Sequence, residues 1–220
     1  MKTEKKDFIE VDFTGKVKDG EIFDSNIKED IKKAGLNFDA KPFVLCLGEG
    51  MFLKSIDDFL TGKEIGDYEI ELTPDKAFGN REPNMIKIIP IKIFYAKEIN
   101  PQQGMMFNFD GVLGKIISVS GGRVITDFNN PLSGKTLIYN IKINRKVDDI
   151  NEKVKALMDF FFRRQFDFEI KENTLVIKAE KKYSKFVEIF EKKFEDILNM
   201  KIKVEEIKDK DNKEESQIST

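Results

Sequence analysis

The sequence predicts an α+β chain built on antiparallel strands, and three patterns carry that expectation. Near the start, Phe8, Glu10, Asp12 and Thr14 alternate with Ile9, Val11 and Phe13, the period of two that a strand imposes on its side chains. Further on, the runs Met105–Phe109, Leu113–Val119 and Arg123–Phe128 are separated by Asp110-Gly111 and Gly121-Gly122, turns spaced closely enough for a small all-β module. From Val147 the period changes. Val147, Ile150, Val154, Leu157, Met158, Phe161 and Phe162 recur at helical spacing.

The elements follow in order. The first strand ends at Gly15, Asp19-Gly20 is a hairpin turn, and Glu21-Ile22-Phe23 resumes an extended run. Residues 26–35 read as a short helical excursion closed by Gly35. Phe43 to Leu47 is an apolar strand closed by Gly48-Glu49-Gly50, and Phe52, Leu53, Ile56, Phe59 and Leu60 follow at helical spacing up to Gly62. Tyr68, Ile70 and Leu72 alternate again. Pro83, Pro90 and Pro101 punctuate the β-rich stretch, and Leu137 to Ile143 is one more strand. Beyond the first long helix, Phe166, Phe168 and Ile170 turn at Glu172-Asn173 into Leu175 and Ile177. A second helix carries Tyr183 to Leu198, and Ile202 and Val204 mark a last strand, so this part reads α-β-β-α-β. Residues 208–220 are charged and nearly free of apolar groups, which predicts disorder.

Composition narrows the chemistry. Apolar residues make up 40% and charged residues 35% of 220, and the net charge is −2, so no basic nucleic-acid surface and no pull to anionic lipid is expected. Neither a leader-like apolar stretch after MKTEKKDF nor a run of about 18 apolar residues is present, which predicts a cytoplasmic chain with no membrane partner. Histidine is absent and Cys46 is the single cysteine, set within Phe43-Val44-Leu45-Cys46-Leu47 as a small buried hydrophobe. That excludes a zinc site and any Ser-His or Cys-His device, so no metal and no cofactor is expected. Whatever the chain does should need no proton transfer near neutral pH.

Four segments stand out in order: Val11-Asp12-Phe13-Thr14-Gly15-Lys16 with Asp19-Gly20 and Phe23-Asp24-Ser25; Pro42-Phe43 with Leu47-Gly48-Glu49-Gly50; Thr73-Pro74-Asp75-Lys76-Ala77-Phe78-Gly79; and the closing stretch from Asp127-Phe128-Asn129-Asn130-Pro131 to Leu132-Ser133-Gly134-Lys135-Thr136-Leu137. Taken together, they resemble the FKBP family of prolyl isomerases. The resemblance spans residues 8–143. The long interval at 84–128 is similar to the SlyD-like branch, which carries a β-rich insert in the flap. The extension after 147 resembles the long archaeal members. The resemblance implies an antiparallel, twisted half-barrel sheet wrapped on a short helix. Its domains would be residues 1–83 with 129–147, an insert at 84–128, a C-terminal α/β domain at 148–207 and a tail at 208–220.

The activity it implies is cis/trans isomerisation of bonds preceding proline, with unfolded or nascent proline-containing polypeptides as partners. On the family's pattern, Phe13, Phe23, Asp24, Phe78 and Tyr139 are catalytic, and Phe43, Phe52, Leu53, Ile56 and Leu132 line the substrate. Asp24 would be the charged group at the rim. Read without the family, each apolar residue fits a plain core equally well, and Asp24 fits a turn or cap. Phe13 and Phe78 stand where the family usually has tyrosine, Ser55 replaces a usual glycine and Ile56 a frequent aromatic floor. These departures predict lowered activity on short peptides and weak macrolide binding. They also keep open a non-catalytic holdase with a weakened pocket. Within the insert, Met85, Ile88, Met105, Met106, Phe109 and Leu113 are expected to form a chain-binding surface, flexible Met side chains suiting a promiscuous one. The C-terminal aromatics, Phe160 to Phe194, are mostly expected core. The surplus leaves a homodimer face and a further client surface both open.

Overall fold

The computed structural model describes residues 2–37, 39–109 and 111–207. The disorder expected for 208–220 lies outside them, as does Asp110 of the expected Asp110-Gly111 turn. The chain is a mixed α+β fold. One sheet has the order β2-β1-β9-β4, from β1 (Phe8–Val17), β2 (Ile22–Ser25), β4 (Gly66–Leu72) and β9 (Leu137–Lys146), with β3 (Phe43–Cys46) also pairing with β1. β1 is long enough to serve two antiparallel partners. Phe8 to Val11 run against Cys46 to Phe43, and Thr14 to Lys16 against Ser25 to Ile22. Two short helices, α1 (Lys28–Lys33) and α2 (Lys54–Leu60), follow β2 and β3, each with a glycine at positive φ just past its end, Gly35 and Gly62.

By packing, the described chain divides into two compact units, residues 2–12, 41–67 and 142–207 in one and 13–40 and 68–141 in the other. The second contains a four-stranded antiparallel sheet of order β5-β8-β7-β6, made of β5 (Ile86–Pro90), β6 (Met106–Phe109), β7 (Val112–Ser120) and β8 (Arg123–Asp127). The insert was expected to be all-β, and that expectation fails. A helix, α3 (Ile91–Tyr95), starts directly after Pro90, and its Phe94 is fully buried. Ile91 and Phe94, three apart, both turn to the small core of Phe107, Ile116 and Val124. Five residues are too few for helical periodicity to stand out from alternation. Phe94 meets Phe107 edge-on at 5.0 Å and Phe109 at 6.4 Å. Phe94→Ala is expected to cost about 3–5 kcal/mol, enough to unfold this sheet in a chain whose remaining core stays intact. Amide exchange confined to residues 86–127 checks it.

In the first unit, α4 (Ile150–Phe162) begins at Asp149, whose Oδ1 accepts from the amides of Asn151 and Glu152 at 2.8 and 3.0 Å. The strands β10 (Asp167–Lys171), β11 (Thr174–Glu180) and β12 (Lys201–Ile207) form a sheet in that order, β10 antiparallel and β12 parallel to β11. A parallel pair needs a crossover, here supplied by helices. The expected single second helix is two, α5 (Lys181–Glu188) and α6 (Glu191–Leu198), so the order is α-β-β-α-α-β. The apolar spacing runs on through the break, which is why it leaves no mark in the sequence. Phe162 is the hub of the aromatic cluster: Phe166, Phe186, Phe190 and Phe194 all lie 5.5–5.7 Å from its ring. Phe186 and Ile189 are left exposed.

Candidate active site

The second unit assembles an aromatic and acidic group around Gly15. The β1–β2 ladder pairs Gly15 with Asp24 but Lys16 with Ile22, so Phe23 is the extra residue of a β-bulge. Regular alternation would send Phe23 and Asp24 to opposite faces. With the bulge, both act on Tyr139 of β9. The Phe23 ring stands edge-on to it at 5.7 Å, and the Asp24 charge, after burial, raises the Tyr139 hydroxyl's pKa. Phe13 lies 6.4 Å from the same ring, and Tyr139 and Phe13 are both buried. Gly15 is required by space. A Cβ there would sit 2.8 Å from Tyr139 Cε1 and 2.9 Å from Phe23 Cζ. Asp24 is half-buried, and that burial raises its carboxyl above the usual range, partly offset by the Ser25 amide.

A polar network missed in the sequence fixes Phe13. Its amide donates to Asn26 Oδ1 at 2.7 Å, and its carbonyl accepts from Ser25 Oγ at 2.9 Å. Ser25 Oγ also lies 3.0 Å from Thr14 Oγ1, which donates to Asp30 Oδ2 at 2.6 Å. The available signal was the run Ser25-Asn26 at the end of a strand, where hydroxyl and amide side chains favour backbone bonding.

Phe78 and Leu132 also lie in the second unit. The loop carrying Phe78 is tied to the segment carrying Leu132, because Ser133 Oγ donates to the Phe78 carbonyl at 2.9 Å and the Gly134 amide to the Gly79 carbonyl at 2.8 Å. Phe78 and Leu132 are themselves half-buried. In the first unit, Phe43 and Phe52 meet edge-on at 5.3 Å, Leu53 is half-buried and Ile56 is fully buried. Asp57, unnoticed in the sequence, is buried and accepts from the amides of Gly48 at 2.8 Å and Gly50 at 3.1 Å, so it shapes the turn that leads into Phe52. Of the predicted chain-binding residues, Ile88, Met105, Met106 and Leu113 are exposed, while Met85 and Phe109 are half-buried, Phe109 against the insert core. Among the described residues no group of three or more Cys, Asp or Glu side chains is arranged to hold a metal ion. Burial pushes the Cys46 thiol up to about 12, so it stays protonated and unreactive. No described helix is long and apolar enough to cross a membrane.

The family described as "FKBP26, IF domain" matches residues 87–132. A short-type peptidyl-prolyl cis-trans isomerase of Methanocaldococcus jannaschii is 31% identical over 143 residues, covering 63% of this chain and 90% of that protein. A probable FKBP-type 16 kDa peptidyl-prolyl cis-trans isomerase of Pseudomonas fluorescens is 30% identical over 112 residues, 48% of this chain and 73% of that protein. The FKBP-type isomerase SlyD of Aeromonas hydrophila is 23% identical over 146 residues, 65% of this chain and 64% of that protein. With the relative from Methanocaldococcus spanned almost end to end and the insert matched by its own family, the chain belongs to the FKBP-type peptidyl-prolyl cis-trans isomerases and is SlyD-like.

Proposed function

We propose that this chain accelerates cis/trans isomerisation of the bond preceding proline in unfolded or nascent polypeptides, and that residues 84–128 hold those polypeptides while it does so. The observation that carries the first half is the Phe13, Phe23, Asp24 and Tyr139 group closed around Gly15. An X–Pro bond rotates slowly because amide resonance sets a barrier of roughly 18–20 kcal/mol. The twisted amide has lost resonance and carries less charge separation than the planar one. An apolar, water-poor surface therefore penalises it less, and a surface shaped to it binds it better than the ground state. Asp24 polarises the amide or fixes a water at the rim. No proton is transferred and no covalent bond is made. The exposed Ile88, Met105, Met106 and Leu113 support the second half.

Two assays test the reading side by side: isomerisation of a short proline peptide, and suppression of aggregation of an unfolded protein. Both activities are expected. The Phe13 and Phe78 positions, each without a hydroxyl, favour a holdase as the second reading, and aggregation suppression without isomerisation would select it. Phe78→Tyr restores a donor to the substrate carbonyl. A contact contributing roughly 0.5–1.5 kcal/mol should raise peptide turnover about two- to tenfold. No change, or a fall, counts against the hydrogen-bond argument.

Asp24 gives a pH-linked expectation. Its pKa is raised in the fold, so protonation favours the folded state: the gain is complete below the unfolded value and is lost as pH rises through the folded one. At neutral pH the charged carboxylate therefore costs stability. Asp24→Asn should raise the melting temperature at pH 7 while lowering turnover, and the stability difference should vanish in acid.

A further inference from the structure

The closing stretch Asp127-Phe128-Asn129 does a job that the substrate-facing residues do not explain. The chain leaves for the insert at 81–85 and returns at 127–129, and side chains lace the two crossings together. Asp127 is only 6% exposed. It takes the Asn129 amide at 2.9 Å and the Asn129 side-chain nitrogen at 2.7 Å on Oδ1, and Arg81 on Oδ2. Burial raises this carboxyl's pKa, but the bonds from Asn129 and Arg81 outweigh it and the net shift is downward, so it stays charged. Asn129 reaches back across the root, accepting from the Glu82 amide at 2.8 Å and donating to the Glu82 carbonyl at 3.1 Å. The Phe128 amide donates to the Met85 carbonyl at 3.0 Å.

Arg81 links this root to the loop of the candidate site. Its stem lies over Gly134, where a Cβ would come within 3.1 Å of Arg81 Cγ, while its guanidinium holds Asp127. Gly134 and Ser133 in turn hold Gly79 and Phe78. Modules joined by thin connections move independently by default. Here a buried carboxylate and two crossing side chains fix the connection, and the fixed path ends at Phe78.

We propose that Arg81, Asp127 and Asn129 are positioning residues that hold the insert at a set angle to the isomerase loop, so that a captured chain is delivered to the site. This rests on the reading of residues 84–128 as a chain-holding module. A loosened neck leaves each activity intact and lowers only the effective concentration of one at the other.

The test compares the whole chain with Arg81→Ala, Arg81→Lys and Asn129→Ala in three assays: short-peptide isomerisation, aggregation suppression, and catalysis of a refolding reaction limited by proline. Arg81 is half-exposed and Asn129→Ala changes no charge, so folding should survive both. Refolding catalysis is expected to fall about tenfold in Arg81→Ala and Asn129→Ala while the other two activities stay within about twofold. Arg81→Lys should recover most of the loss. Unchanged refolding in both alanine variants overturns the neck, and so does a parallel fall in all three assays, which is the mark of a purely structural role. If the unsubstituted chain refolds its client no better than one lacking 84–128, it is the chain-holding reading that fails.

Discussion

Replacing residues 84–128 with a short Gly-Ser bridge is expected to lower catalysis of proline-limited refolding on the order of 100-fold while leaving short-peptide turnover within about threefold. The asymmetry follows from where the parts lie. Phe13, Phe23, Asp24 and Tyr139 come from β1, β2 and β9, none of which belongs to the insert sheet. The insert has its own core in Phe94, Phe107, Ile116 and Val124, and it exposes Ile88, Val112 and Leu113 at 64%, 50% and 52%. A module this small has too few inward positions to hide them all, so apolar area is left exposed. A short peptide cannot use that surface and loses nothing by its removal. On the proposed reading, a long chain held there would meet the site at an effective concentration far above its bulk value. Equal losses on both substrates would sink the division of labour.

Gly15→Ala should have the second-largest effect, lowering short-peptide turnover at least tenfold with a stability loss of about 1–3 kcal/mol. The new methyl would arrive inside contact distance of two rings at once. Tyr139 is 2% exposed and has no room to retreat, so Phe23 must pivot and carry the bulge and Asp24 with it. The stability loss is what any overpacked site shows. The larger loss of turnover is specific to a ring arrangement that substrate uses. Measuring melting temperature and kcat/KM on the same variant separates the two, and a variant that is destabilised yet fully active would remove Phe23 and Tyr139 from the site.

The strands were legible because alternation is strong where one face of a sheet is buried: the first strand and the strand expected over Phe43 to Leu47 begin where periodicity puts them, though the first runs past Gly15 to Val17 and the other stops at Cys46. Helix α3 and the break between α5 and α6 were not legible. The first is too short for its period to register, and the second is set by where Phe190 packs, at 5.1 Å from Phe161 and 5.5 Å from Phe162. At the site, composition narrowed the chemistry, since a chain without histidine has few routes to proton transfer. Family register, not periodicity, singled out Phe23, Asp24 and Tyr139. What no pattern marks is support at a distance. Asp57 shapes the turn before Phe52 by accepting from bare backbone, and Asp127 holds the neck through Arg81, far along the chain. Such roles depend on tertiary closeness, and an Asp or Asn in a turn reads the same whether or not it has them.

Exchange NMR of a short proline peptide, with catalytic amounts of the chain, measures the rate of rotation itself. Acceleration that is level between pH 6 and 9 and equal in light and heavy water is the expected outcome, since only shape and polarity lower the barrier. No acceleration, or a rate that follows a titrating group and slows severalfold in heavy water, would contradict it.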